Sequence, residues 1–180
     1  MKRAPVIRSL RLLFLSGVLL VAPRTAAATQ PHPQSVAAQA SPGVTTSRPA
    51  GETVFLPDAE TALLGLLNQT RRARGLPRLA PSAPLRVAAR SHSREMALSG
   101  VVGHGSALLQ SFLDRLSGLV RPGTLAGENV GCATSVGRVE AAFEASPGHL
   151  DNMLNPRFGT VGIGIATSPL GLMVTEDFAE

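Results

Sequence analysis

From residue 58 onward, apolar positions first recur at helical spacing and then, past residue 160, alternate one by one. Ala59, Leu63, Leu66, Leu67 and Thr70 form one stripe, Asp58 after Pro57 is placed to cap it, and Gly75 supplies a left-handed stop. This spacing predicts a helix over 58–74. A second stripe, Leu85, Ala88, Ala89, His92 and Met96, predicts a helix over 84–99 that ends at Gly100. Leu108, Phe112 and Leu116 suggest a third over 107–116. A fourth spans 136–145, stopped by Pro147, and a short turn of helix covers 150–154 before Pro156. Val161, Ile163 and Ile165 then alternate with Gly162, Gly164 and Ala166, which predicts a strand with one bulky face and one bare face. Something must pack close to the backbone on the bare side. Ser168-Pro169-Leu170-Gly171 reads as a turn, and Leu172–Phe178 as the returning strand of an antiparallel hairpin. Helices first and a hairpin last make an α+β or α-β-α layered domain.

The N-terminus has a different character. A basic stretch, MKRAPVIRSLR, precedes the apolar run Leu12–Ala22, and Pro23 and the small residues Ala26 and Ala28 follow. This is the pattern of an export signal over residues 1–28, and the run is short of the roughly 20 residues that span a bilayer. Residues 29–54, rich in Pro, Ala, Ser and Thr and including His32, read as a flexible tether, which leaves 55–180 as the domain. The expectation is an exported product, secreted or periplasmic, that acts as a monomer without stable membrane insertion.

Charge looks informative and is not. The chain carries a formal +5, but Lys2, Arg3, Arg8, Arg11 and Arg24 all precede residue 28, and the remaining 12 basic and 12 acidic side chains cancel. A nucleic-acid partner loses its main support. Trp and Tyr are absent, which argues against stacking platforms for bases or sugars. Cys132 is the only cysteine, so the domain has no internal disulfide; it is expected to be a buried small apolar residue.

Few side chains suggest chemistry. His92 sits on an apolar stripe and reads as a core histidine with one satisfied hydrogen bond. His104 lies between Gly103 and Gly105, His149 follows Gly148 at a helix start, and Glu128 lies in an otherwise apolar stretch. Two imidazoles and a carboxylate can hold a Zn²⁺-type ion with an open position, or form an acid/base set. No HExxH or paired-Cys spacing supports the metal version. Ser106 lacks a nucleophile-elbow context and reads as a helix cap.

Four blocks, LLNQTRRARGLPRLAPSAPLRVAARSHSREMALSGVVGH, AGENVG, AFEASPGHLDNMLNPRFGTVGIGIA and MVTEDF, resemble in this order the CAP superfamily of cysteine-rich secretory, antigen 5 and pathogenesis-related 1 proteins. The similarity is greatest to the compact bacterial SCP-like branch and covers about residues 58 to 178. It implies an α-β-α sandwich with a central antiparallel sheet and a cleft lined by two His and acidic residues. His104 matches the first cleft His, Glu128 the Glu of GEN, and His149 the His of the S-P-G-H block. A second Glu found three residues before that His in many eukaryotic members is Ser146 here, the usual Trp of the block corresponds to Phe143, and the eukaryotic disulfides are missing.

Three functions follow as expectations. The first is a binding module whose cleft, through His104, Glu128 and His149, holds a divalent cation such as Zn²⁺, a small ligand, a lipid or a peptide. The second is a metal-assisted hydrolase of peptide or cell-envelope material, in which an ion on His104 and His149 activates water with Glu128 as base or orienting group. The third is a purely structural His/Glu network.

Overall fold

The glycines of the Val161–Ala166 alternation set how the layers stack. The computed structural model describes residues 53–105 and 111–180. Its elements are α1 (Pro57–Ala73), β1 (Ala80–Pro81), α2 (Ala83–Ser99), α3 (Phe112–Leu116), β2 (Ala126–Ala133), α4 (Val136–Ala145), α5 (Pro147–Met153), β3 (Thr160–Ser168) and β4 (Gly171–Ala179). The strands form one sheet in the order β1-β3-β4-β2. The three long strands are antiparallel neighbours, and β1 adds a two-residue parallel edge.

The bare face of β3 receives α2. A Cβ built on Gly162 would stand 2.1 Å from the Leu85 carbonyl carbon, and one on Gly164 2.3 Å from that of Ala89. The helix backbone therefore lies directly on the strand, and Ser93 Oγ donates to Gly164 O at 2.8 Å. The bulky face packs the other way. Val161, Ile163 and Ile165 join Leu63 and Leu67 of α1, Val139 and Phe143 of α4, and Val174 and Phe178 of β4 in the main core. Helices on both faces of a mainly antiparallel sheet give the α-β-α arrangement expected of the α+β class.

The helices begin and end close to their predicted limits, with three differences. The first starts at Pro57, with Leu56 at the N-cap and no side-chain cap, so Asp58 lies in the first turn and does not cap. Proline fits there because its fixed φ suits the helix and its missing N–H is one the helix start leaves unbonded anyway. The third covers only Phe112–Leu116, begun by a reciprocal Ser111–Asp114 capping box; residues 107–110 of the expected span lie outside the described residues. The last short helix starts earlier, at Pro147. Strand β2 was not anticipated, and Cys132 on it is half-buried, its Sγ 3.6 Å from Leu170 O, where a buried apolar role was expected. It lies on the edge strand, which no further strand covers among the described residues. His92 is a fully buried core residue, as expected.

Arg71 of α1 is also fully buried, and its guanidinium donates to four backbone carbonyls, those of Pro77, Met153, Asn155 and Phe158. Among the described residues no helix is long and apolar enough to cross a membrane.

Gly164→Ala drives a methyl group into backbone that cannot yield, so a loss of about 3 kcal/mol or more is expected in denaturant unfolding. Gly137→Ala in α4 is the control: its Cβ meets nothing within 4 Å. It should raise stability by about 0.5–1 kcal/mol through helix propensity.

Candidate functional site

Gly127-Glu128-Asn129 occupies the edge strand β2, and alternation along the strand sends its side chains to opposite faces. Gly127 makes room: a Cβ there would come within 2.7 Å of Asn152 Oδ1. Glu128 turns toward the α2 and α3 side. Asn129 turns toward α5, where its Nδ2 donates to His149 O at 3.2 Å and to Glu176 Oε2 at 3.0 Å. Asn152 Nδ2 closes the joint by donating to Glu128 O and Asn129 Oδ1.

Glu128 is buried and both its oxygens are engaged. His104 Nδ1–H donates to Oε1 at 2.9 Å, and Arg115 of α3 pairs with Oε2 and donates to His104 O at 3.2 Å. His92 supports the same loop: its Nε2–H donates to Gly103 O at 2.7 Å. A core histidine thus fixes the backbone next to the site histidine. Asp177 of β4 lies opposite Glu128 in the ladder and is fully buried.

His149 comes from α5, its ring edge-on to Phe143 at 4.8 Å between centroids. Only 2% of the residue is exposed, and neither ring nitrogen has a hydrogen-bond partner among the described residues. Burial first, and the charge of His104 second, pull its pKa down to about 4, so the ring is neutral at pH 7. The His104 side chain is 25% exposed. Water therefore reaches one of the two rings, where a cleft open to both was expected.

The donor set does not suit a metal. Glu128 is held by a guanidinium and an imidazole N–H, and among the described residues no three His, Cys, Asp or Glu side chains are grouped to hold an ion. Ser106 lies outside the described residues.

A second polar cluster backs His149. Glu176 is fully buried, and its carboxyl is pushed up to about 8 by burial, then by the charge of Glu140, against the hydrogen bond from Asn129. Glu140 is pushed up to about 7 by burial, then opposed by the Thr70 hydroxyl bond and aided by Glu144. The Thr70 hydroxyl lies 3.2 Å from Glu140 Oε1 and 2.6 Å from Glu144 Oε1.

Sequence reasoning singled out His104, Glu128 and His149 and missed Arg115, Asp177 and Glu176. A signal existed for Arg115, a cation one residue from Leu116 on a stripe with Phe112. None existed for the two acids, because a strand buried on both faces shows no polar side.

Comparison with known proteins agrees with this architecture. The model of the cysteine-rich secretory protein (CAP) family matches residues 64–178. YkwD, an uncharacterized protein of Bacillus subtilis, is 30% identical over 135 residues, which cover 74% of this chain and 50% of that protein. An extracellular protein containing an SCP domain from Bacillus anthracis has a TM-score of 0.60 at 28% identity, over 69% of this chain and 41% of its own. An outer surface protein from Borrelia burgdorferi shares the fold, with a TM-score of 0.64 at 15% identity over 72% of this chain and 98% of its own. The chain thus spans half the length of YkwD.

The buried acids give stability a pH sense. In the unfolded chain Glu140 and Glu176 release protons near 4.5; in the fold they hold them to about 7 and about 8. The folded state binds more protons across that window, so stability falls as pH rises through it and levels off above. His149 acts oppositely, withdrawing stability as pH falls from 6.5 to about 4. Melting temperatures between about pH 5 and about pH 9 should therefore decline for the wild type and decline less for Glu176→Gln. Equal slopes would contradict the assignment.

Proposed function

The chain belongs to the cysteine-rich secretory protein (CAP) family, and from that premise we propose that it is an exported binding module that holds the polar end of a small organic ligand or peptide between His104 and His149. One observation carries the reading: the buried imidazole of His149 has neither ring nitrogen bonded to a described residue, so a ligand that enters past the partly exposed His104 and displaces the cover over His149 would satisfy it. Buried polar atoms are seldom left unpaired. A neutral ring offers one donor and one acceptor, which suits an amide, hydroxyl or carboxyl group. Export is supported by the N-terminal pattern and by relatives described as extracellular or outer-surface proteins.

The cation version has less support, since Glu128 would first have to leave Arg115. The hydrolase version has less for the same reason: a carboxylate gripped at both oxygens makes a poor general base. The structural version draws support from the burial of Glu128, but it gives the ring nitrogens of His149 no role.

Amide chemical-shift mapping with a panel of small amides, carboxylates and alcohols tests the binding reading. Saturable shifts should gather at His104, Asn129 and His149 and disappear in His104→Ala, with the circular dichroism spectrum unchanged. Shifts elsewhere, or none, would sink it. Calorimetry with Zn²⁺ tests the cation version: wild type and the double variant His104→Ala/His149→Ala are expected to give the same heats, and a strong exothermic site lost in the variant would restore the metal.

A further inference from the structure

Asp177 stands in the middle of the three long strands, between β2 and β3. It is the ladder partner of Glu128 on one side and of Gly162 on the other, so the side chain directly across from it is a carboxylate and its other neighbour has none. It is fully buried. Neither of its oxygens accepts a hydrogen bond from a described residue. An ionised carboxylate in that position would be a buried charge without a donor, beside a second negative charge. Among the described residues the nearby guanidinium, Arg115, pairs with Glu128. A neutral carboxyl group resolves both difficulties, because its one O–H has an acceptor directly opposite.

We propose that Asp177 is the positioning acid of this site: it keeps its proton, donates it in a hydrogen bond to the Glu128 carboxylate, and so holds that carboxylate where it receives Nδ1–H of His104. Glu128 then accepts from three directions, Arg115, His104 and Asp177, within the capacity of its lone pairs. Burial, and then the charge of Glu128, raise the Asp177 carboxyl well above the usual range in the same sense, against the opposing charge of Arg115. The consequence reaches the proposed ligand site through one atom. With Nδ1 committed as a donor, His104 is held in the tautomer that leaves Nε2 as an acceptor.

The inference concerns the unliganded protein, so its failure and the failure of the binding reading are separate results. Infrared difference spectroscopy of wild type against Asp177→Asn at neutral pH reads the proton directly. A carboxylic-acid C=O band should be present in the wild type and lost in the variant; a difference spectrum without that band overturns the proposal. Imidazole ¹⁵N shifts of His104 at the same fixed pH read the positioning. Asp177→Asn still offers an N–H to Glu128 and should keep the Nδ1–H tautomer, whereas Asp177→Leu should lose it and show shifts averaged between tautomers, with the His92 shifts unchanged. The same tautomer in both variants overturns the positioning role. Should Asp177→Leu fail to fold, the infrared comparison with Asp177→Asn still decides whether Asp177 holds the proton.

Discussion

The close approach of α2 to β3 underlies the geometry of the whole molecule. Without side chains at Gly162 and Gly164, the helix backbone rests against the strand and Ser93 reaches both Gly164 O and Thr175. This sets where α2 ends. Gly100, at φ 71°, turns the chain out of the helix, and His92, one face further back, holds Gly103 O. His104 follows at once. The position of the exposed imidazole is therefore traceable to two absent methyl groups on a strand nearly sixty residues later in the chain.

Strand β2 does the complementary work. As the edge strand it has one long neighbour, and its alternation divides G-E-N between two environments. Glu128 meets cationic and N–H donors on the α3 side. Asn129 meets Glu176 and the α5 backbone on the other. Two polar clusters thus lie back to back across one strand, with His104 bonded to Glu128 on one side and the His149 carbonyl bonded to Asn129 on the other.

Much of this was legible in the sequence. Stripes at helical spacing located α1 and α2, since each buries one face, and Pro147 marked the end of α4. The Ile/Gly alternation located β3 and foretold the close packing against it. Strand β2 was not legible because Gly127, Gly131 and Ala133 give it neither bulk nor alternation, and its pairing with β4 is a tertiary fact. His104 and Glu128 stood out by their neighbours and their resemblance to a family. Arg115, Asp177 and Glu176 did not, because burial of a charged residue depends on what folds over it. Cys132 was misjudged for the same reason: its residue type favours the interior, but the edge strand leaves it half uncovered.

Arg71 has a consequence of a different kind. Its four acceptors are peptide carbonyls contributed by the segment after α1, the end of α5 and the approach to β3. Carbonyls do not titrate, and the guanidinium remains a cation throughout the physiological range. The knot that ties α1 to α5 therefore has no acid-labile or alkali-labile partner. Acidification or alkalisation can loosen the carboxyl clusters near the sheet rim while this corner of the fold stays fastened.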